Sequence, residues 1–216
     1  MKRNASSFNG MMDFAREVEQ QDPRGLLSVI RILGKEILSN QLIWRINSKK
    51  FRYTNTEPDW LFLPRCTKIG PAGESYLHLC PDLMVKKRID LAKDLVIPSP
   101  WEPRRLANCI ASIGQDRKWG KWKYDKNNHY VEFWEPLGLA WGTNGNHSIT
   151  AGIIAANGKL PVKVYRNIAL LYKYVFCDGK NYVDRHGKVL NKVNSIEFAA
   201  IFEIGRMLVN HGVTAK

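Results

Sequence analysis

The 216-residue sequence predicts an α+β fold, in which helices pack on a mixed sheet and a helical region precedes it. Two patterns support this class. Leucine and isoleucine recur at helical spacing between residues 26 and 38, whereas residues 129–184 hold short apolar runs bounded by Gly, Asn, Asp and Pro. Hydrophobic residues make up 44% of the chain, so a packed core can form.

The N-terminal region is predicted to contain two helices. Residues 1–10 are polar and are expected to be mobile. A short helix is predicted over residues 11–21. A longer helix is predicted to begin after Asp22 and Pro23, because Asp caps a helix and Pro suits its first turn, and to continue to about Ser39.

Residues 41–80 carry conflicting signals. Aromatic and aliphatic side chains favour extended segments, whereas prolines and glycines interrupt them repeatedly. The stretch therefore has no firm assignment. The side chains that favour extended segments are Trp44, Ile46, Phe51, Tyr53, Trp60, Phe62 and Leu63.

Two further helices are predicted before the main run of strands. Asp82 is expected to cap a helix that continues to about Leu95, and the prolines of residues 98–100 end it with an extended linker. The second helix is predicted over residues 103–113, where apolar side chains share one face and Gly114 ends the helix.

Strands dominate the next part of the chain. They are predicted at residues 129–134 and 137–141, and the second leads into a tight turn at residues 144–145. A short helix follows and is stopped by Gly158. The chain then re-enters the sheet as a strand over residues 160–165.

The C-terminal part is predicted to form a hairpin and a closing helix. The first strand covers residues 169–177, and residues 178–184 supply the turn and the partner strand. Asn194 lies three residues before Glu197, a spacing typical of a capping box. The closing helix is therefore expected to start there and to end at about Asn210.

The strongest functional signal lies in residues 141–165, where the short helix begins. Its first N–H groups have no partner inside the helix, and the helix dipole favours a negative charge near them. One interpretation is a simple tight turn, in which Asn and Gly tolerate positive φ. The other is a phosphate or carboxylate site formed by Gly145, Asn146, His147 and Ser148.

This segment resembles the signature of the ParB/sulfiredoxin superfamily, which also contains the ParB-like nucleases. In that signature a Gly-x-(His or Arg)-Arg turn opens a helix of small residues, followed by Gly and a strand that carries Pro. The likeness covers roughly residues 95–170. The positions that match are Gly145, His147, Ala151, Gly158 and Pro161.

Two positions depart from the superfamily pattern. Sulfiredoxin's catalytic cysteine would fall at Asn146, and the superfamily's phosphate-binding arginine would fall at Ser148. The resemblance thus implies a ParB/sulfiredoxin-like mixed sheet without sulfinic acid reduction. It implies a domain over residues 95–216, with a C-terminal hairpin and helix, after a helical and partly irregular region over residues 1–94.

Size, basic charge and the helical lead-in are similar to those of small plasmid-borne fertility-inhibition proteins of the Osa and FipA kind. That resemblance implies a protein that blocks conjugative DNA transfer by binding the coupling-protein ATPase of a type IV secretion system. Its contact surface would include Trp44 and Trp60. The alternative is a ParB-like DNA-binding protein, or a DNase or ATPase that uses a divalent metal or ATP. Binding is favoured over catalysis because Ser148 replaces the arginine.

The basic charge itself points to a polyanion or an acidic protein face, since the formal net charge is +13. Residues 117–126 interleave basic and aromatic side chains, which suits a single nucleic-acid strand through charge and base stacking. The alternative is a solvated turn whose aromatic rings pack on the sheet. The candidate nucleic-acid-binding residues are Arg117, Lys118, Trp119, Lys121, Trp122 and Lys123.

No catalytic residue is firmly indicated, and the candidates are His147, Asn146 and His129. His129 lies near Asp125, Asn128, Glu132 and Glu135 in the sequence, a set that suggests metal binding or proton transfer at one sheet edge. A metal site is not predicted, because no His-x-His or His-x-x-x-His spacing occurs and strand alternation separates His129 from Glu132. Nucleophile-elbow and P-loop motifs are also missing.

The cysteines and the hydropathy indicate the compartment. Cysteines 66, 80, 109 and 177 form no Cys-x-x-Cys pair, so reduced and mostly buried thiols are expected rather than zinc ligands or disulfides. No run approaches the roughly 20 apolar residues of a membrane helix. A cytoplasmic protein without membrane insertion is therefore expected.

Overall fold

The structure, a computed structural model, describes residues 2–47 and 57–215. These residues adopt the predicted α+β class. The helices are α1 (Lys2–Gln21), α2 (Leu26–Asn47), α3 (Pro58–Leu61), α4 (Tyr76–Leu79), α5 (Pro103–Ser112), α6 (Asn146–Ile154) and α7 (Ile196–Asn210). None of the helices in the described ranges combines the length and the hydropathy needed to cross a lipid bilayer.

The strands form three sheets. They are β1 (Arg88–Asp90), β2 (Leu95–Ile97), β3 (Tyr130–Glu135), β4 (Leu139–Asn144), β5 (Lys159–Pro161), β6 (Val164–Asn167), β7 (Val175–Cys177), β8 (Asn181–Asp184) and β9 (Val189–Lys192). The central sheet has the order β2-β4-β3-β6 and is mixed, because β3 and β4 are antiparallel while β2 and β6 each lie parallel to a neighbour. β1 pairs with β5, and β7, β8 and β9 form a meander.

Side-chain alternation in β3 and β4 divides the interior into two cores. Trp134 and Trp141 face the larger core, where they contact each other with ring centroids 5.5 Å apart. That core is built by α1, α2, α7 and the central sheet. Val131, Phe133 and Ala140 face the smaller core, which α5 and α6 cover. The functional segment lies on this second side of the sheet.

The N-terminal helix is longer than predicted. Residues 1–10 were expected to be mobile, but α1 begins at Lys2. Phe8, Met12 and Ala15 are buried at helical spacing, and the ring of Phe8 lies against Gly179. This contact with a distant turn stabilises a segment whose composition looks polar.

The second helix begins as predicted and ends later. Asp22 caps a short 3₁₀ turn by accepting a hydrogen bond from the Arg24 amide. α2 then runs eight residues beyond Ser39, because Gln41 and Arg45 continue its buried stripe. Its last two turns include Trp44 and Ile46, so this part of the stretch without a firm assignment is helical and not extended.

Other side chains of this unassigned stretch that favour extended segments also lie outside strands. Trp60 belongs to the short helix α3, and Phe62 and Leu63 follow it as a buried loop. The ring of Phe62 packs edge-on against Tyr182, with centroids 5.1 Å apart. Phe51 and Tyr53 lie outside the described residues. Burial of aromatic rings, not strand pairing, explains the hydrophobic pattern here.

The helix predicted from Asp82 to Leu95 does not form, since β1 and β2 occupy the second half of that stretch. Asp82 instead accepts a hydrogen bond from the Tyr165 amide at 2.9 Å. Ile89 is buried opposite Leu160 in the β1–β5 pair. Pairing with a strand about seventy residues away overrides the local helical pattern.

Two predicted strands are each divided. The strand predicted over residues 160–165 is split between β5 and β6, which belong to different sheets. In the strand predicted over residues 169–177, the first half is a 3₁₀ helix, Ala169–Lys173, and only β7 is extended. Arg206 holds this bend by donating to the Val175 carbonyl at 2.6 Å. The sequence interpretation also omitted β9.

The closing helix α7 ends at Asn210 as predicted, but its cap is Ser195 and not Asn194. The Oγ atom of Ser195 accepts from the Phe198 amide at 3.1 Å and donates to Glu197 at 2.6 Å. Asn194 instead donates to the carbonyl of Trp60 at 2.7 Å. The predictions for α5, β3 and β8 are confirmed within one residue at each end, and α6 begins as predicted but ends at Ile154, four residues before Gly158.

Candidate anion-binding site

Gly145 forms the turn between β4 and α6, as predicted. Its φ angle is 73°, in the left-handed region that favours glycine. A Cβ atom at this position would lie 2.6 Å from the His129 ring and 2.7 Å from the carbonyl oxygen of Asn128. Both the backbone conformation and the available space therefore require glycine. α6 starts at the next residue, Asn146.

The first turn of α6 is open to a ligand. Within the described part of the chain, no side chain caps this helix. Its first backbone bond runs from the Ile149 amide to the carbonyl of Gly145 at 2.9 Å. The amides of residues 146–148 therefore lie at the positive end of the helix dipole without an intrahelical acceptor.

A cavity of about 380 Å³ borders this turn. The structure places all four residues of the predicted anion site in its lining, namely Gly145, Asn146, His147 and Ser148. The opposite wall consists of residues from α5 and its flanking loops, and includes Trp101, Arg105, Asn108, Cys109 and Trp119. Burial raises the pKa of Cys109, so this thiol is not an activated nucleophile.

Asn146 and His147 act as acceptors for the neighbouring chain segment. The Ser99 amide donates to Oδ1 of Asn146 at 3.0 Å. The Glu102 amide donates to Nε2 of His147 at 3.1 Å. These two bonds hold the segment that leads into α5 against the first turn of α6. Both side chains thus position the wall of the cavity.

His147 is neutral in this arrangement. Burial lowers its pKa, the nearby guanidinium of Arg105 lowers it further, and the carboxylate of Glu102 opposes both effects. Because Nε2 accepts a hydrogen bond, the proton is assigned to Nδ1. The ring also packs edge-on against Trp101, with centroids 5.1 Å apart. His147 therefore adds no positive charge to the cavity.

His129 and Ser148 form a hydrogen-bonded pair beneath the turn. Nδ1 of His129 accepts from the Asp125 amide at 2.9 Å, which assigns the ring proton to Nε2. Nε2 lies 2.6 Å from Oγ of Ser148, and Ser148 donates in turn to the carbonyl of Gly145 at 3.0 Å. A general base would need Nε2 unprotonated. The pair is therefore arranged for structure and not for nucleophilic attack.

Arg105 is a candidate site residue that the sequence interpretation did not include. It is exposed on α5 and lines the cavity, with its guanidinium carbon 5.1 Å from the centroid of the Trp101 ring. Only the packing of α5 on α6 brings it to the turn at Gly145. Two arginines at the start of a predicted helix were the sole local signal.

The predicted basic segment divides into structural and exposed residues. Trp122 is buried, stacks on His129 with centroids 4.6 Å apart, and donates from Nε1 to the carbonyl of Ser148 at 2.8 Å. The guanidinium of Arg117 donates to carbonyls at the C-terminal end of α5. The remaining candidates, Lys118, Trp119, Lys121 and Lys123, are exposed.

The acidic residues predicted near His129 have other partners. Glu132 accepts from Nε of Arg166 at 2.8 Å, and Glu135 accepts from Tyr165 at 3.2 Å. Among residues 2–47 and 57–215, no group of three or more His, Cys, Asp or Glu side chains could hold a metal ion. All four cysteine thiols are free, and Cys66 is exposed rather than buried.

Comparison with known proteins identifies a matching family. A family described as a family of unknown function (DUF6710) matches residues 1–215. The match includes α5, α6 and the cavity between them. No curated protein and no solved structure matches the chain.

Proposed function

The chain belongs to the DUF6710 family of unknown function, and we propose that it binds nucleic acid by holding a backbone phosphate in the cavity between α5 and α6. The observation that carries this proposal is the position of Arg105 beside the uncapped first turn of α6. The proposal includes no bond cleavage, because His129 donates to Ser148 and is not available as a base.

The chemistry of the cavity suits a phosphate. Helix N-termini bind anions through free amides and the helix dipole. A guanidinium adds paired, charge-assisted hydrogen bonds to phosphate oxygens, each stronger than a neutral bond. The net charge of +13 attracts a polyanion from a distance. We therefore expect the phosphate in the cavity to be one of many along a nucleic-acid backbone.

The likeness of residues 95–170 to the ParB/sulfiredoxin superfamily supports the same function, and we propose that this region is a divergent member. The order of β4, the Gly145 turn, α6 and the Pro161-bearing β5 is the order of that signature. Arg105 supplies from α5 the positive charge that Ser148 does not supply from α6.

A second candidate function is fertility inhibition through the coupling-protein ATPase of a type IV secretion system. The observation that favours it is exposed apolar surface on α2 and α3. Ile43 is 57% exposed, Trp44 43% and Trp60 44%. Rings and aliphatic side chains of this kind are typical of protein-binding surfaces. In this function the cavity would be dispensable, whereas the apolar surface would be essential.

Paired arginine variants test the phosphate pocket. Arg104 and Arg105 are adjacent and exposed on α5, but only Arg105 lines the cavity. Fluorescence anisotropy with a short labelled oligothymidylate should show that Arg105→Ala binds at least about tenfold more weakly, while Arg104→Ala changes affinity by about twofold at most. Equal losses would show that only overall charge matters and would refute the pocket.

Plasmid transfer assays separate the two functions. The protein would be expressed in donor cells as the wild type, as Arg105→Ala, or as a Trp44→Ala, Trp60→Ala double variant. If DNA in transit is the target, Arg105→Ala relieves inhibition and the tryptophan variant does not. If the ATPase is the target, the tryptophan variant relieves inhibition while its oligonucleotide affinity stays unchanged.

A further inference from the structure

We propose that the cavity between α5 and α6 accepts one nucleotide of a single strand, with its base stacked on Trp119 and its phosphate at Arg105 and the first turn of α6. This inference rests on the proposed function and adds the ligand class. Such a cavity is expected to bind an unpaired strand more tightly than duplex DNA.

The loop that carries Trp119 is held firmly against α5. The Trp119 amide donates to the Ser112 carbonyl at 2.8 Å, and the Gly120 amide donates to the Arg117 carbonyl at 2.9 Å. Arg117 anchors the same loop through the carbonyl of Ile113 at 2.9 Å. The backbone at Trp119 is therefore already fixed in the free protein, which lowers the entropic cost of binding a ligand.

The indole of Trp119 is the unpartnered ring of the site. It is 48% exposed and lines the cavity, and within the described residues it makes no ring–ring or cation–ring contact. The other two rings nearby differ. Trp122 is buried against His129, and Trp101 is contacted by Arg105 and His147. Trp119 thus offers a flat apolar face in the same cavity as the Arg105 guanidinium, a combination that suits a base and its phosphate.

The size and polarity of the cavity agree with this ligand. Its volume of about 380 Å³ is at the small end of the roughly 300–1,000 Å³ range of small-molecule pockets. Besides Asn146, the asparagines Asn108, Asn128 and Asn144 also line it. Each amide side chain offers both a donor and an acceptor, as base edges require.

A duplex does not fit this arrangement. Bases in a duplex are paired and stacked inside the helix, and they can stack on a protein ring that lines a cavity only after costly extrusion. An unpaired strand presents its bases without that cost. The exposed Lys118, Lys121 and Lys123 surround Trp119 in the sequence and supply charge for the phosphates of adjoining nucleotides.

The test measures the affinity of the protein for three probes by anisotropy or competition. They are a labelled oligothymidylate, a blunt duplex of the same length, and inorganic polyphosphate. The wild type should prefer the single strand over the duplex at equal salt. Trp119→Ala should weaken oligothymidylate binding by about 5- to 100-fold, the effect of one lost base stack, and leave polyphosphate binding unchanged. Trp119→Phe should retain most of the affinity.

Trp60→Ala is the matched control, because Trp60 is similarly exposed and does not line the cavity. It should bind all three probes as the wild type does. Tighter binding of the duplex, or an unchanged affinity of Trp119→Ala for oligothymidylate, overturns the inference. If Arg105→Ala still weakens binding in that case, the phosphate pocket stands. If neither variant weakens binding, the proposed function fails as well.

Discussion

His129 donates a hydrogen bond from Nε2 to Oγ of Ser148 across 2.6 Å, and this bond fixes the base of the α6 turn. The bond closes a chain that runs from the Asp125 amide through the imidazole and the hydroxyl to the carbonyl of Gly145. The glycine turn is thus supported from below by the loop that leads into β3. The proposed site depends on this support because the amides of residues 146–148 lie on a helix of only nine residues.

Removing the hydroxyl should destabilise the fold. Ser148→Ala leaves the largely buried Nε2–H of His129 without its acceptor, so the free energy of unfolding should fall by about 1–3 kcal/mol. Urea denaturation followed by circular dichroism measures this loss. Ser28→Ala, at an exposed position of α2, should change it by less than about 0.5 kcal/mol. Equal effects of the two substitutions would contradict the structural role of Ser148.

Stability should decrease as the solution is acidified. Burial lowers the pKa of His129, with Asp125 opposing, and burial together with Arg105 lowers the pKa of His147. The unfolded chain then binds more protons than the folded chain, so stability is complete above the unfolded pKa of about 6.5 and falls below it.

Unfolding free energies measured from about pH 7.5 to about pH 5 test this dependence. His129→Asn should flatten the slope, because it removes one of the two histidines whose pKa burial lowers. His186→Asn, which changes an exposed histidine in the β8–β9 turn, should preserve the slope. A wild-type stability that rises on acidification would show that the imidazoles are not held in the neutral form.

Substituting Gly145 should be more damaging than substituting another glycine of positive φ. Gly145 and Gly187 have φ angles of 73° and 80°. A Cβ at Gly145 collides with the Asn128 backbone and the His129 ring, whereas a Cβ at Gly187 meets nothing within 4 Å. Gly187→Ala should cost about 1–2 kcal/mol from backbone strain alone. Gly145→Ala should cost clearly more in the same denaturation assay, and a similar cost would argue against the tight packing of this turn.

His147 should affect ligand binding through the position of α5. His147→Ala removes the acceptor for the Glu102 amide, so Arg105 loses its fixed place and oligonucleotide affinity should fall about 3- to 10-fold. Glutamine can accept the same bond, and His147→Gln should therefore recover part of the affinity. DNA cleavage measured in parallel should be negligible in the wild type and in both variants. Cleavage that His147→Ala abolishes would make this residue catalytic.

The sequence predicts the α6 turn well because its determinants are local. Gly145 adopts a left-handed conformation that favours glycine, and α6 begins at the next residue. By contrast, local periodicity predicts a helix where β1 forms, since it does not reveal that Ile89 pairs with Leu160. Pairing with a distant strand, and not local propensity, determines the secondary structure of that segment.

The same distinction applies to the site residues. Trp119 and Trp122 look equivalent in the sequence, three residues apart between lysines. In the fold, Trp122 stacks on His129 and is buried in the smaller core, whereas Trp119 remains exposed. Arg105 was overlooked for a similar reason, because it lies forty residues before Gly145 in the chain and meets it only through helix packing.

Amide chemical shifts give the most direct test of the phosphate pocket. Titration of the ¹⁵N-labelled protein with oligothymidylate should move the backbone amides of Asn146, His147 and Ser148 most strongly, since these N–H groups would donate to the bound phosphate. The same titration of Arg105→Ala should leave these three signals nearly unmoved at equal ligand concentration. Shifts that fall elsewhere in the wild type, with the amides of residues 146–148 unchanged, would contradict the account.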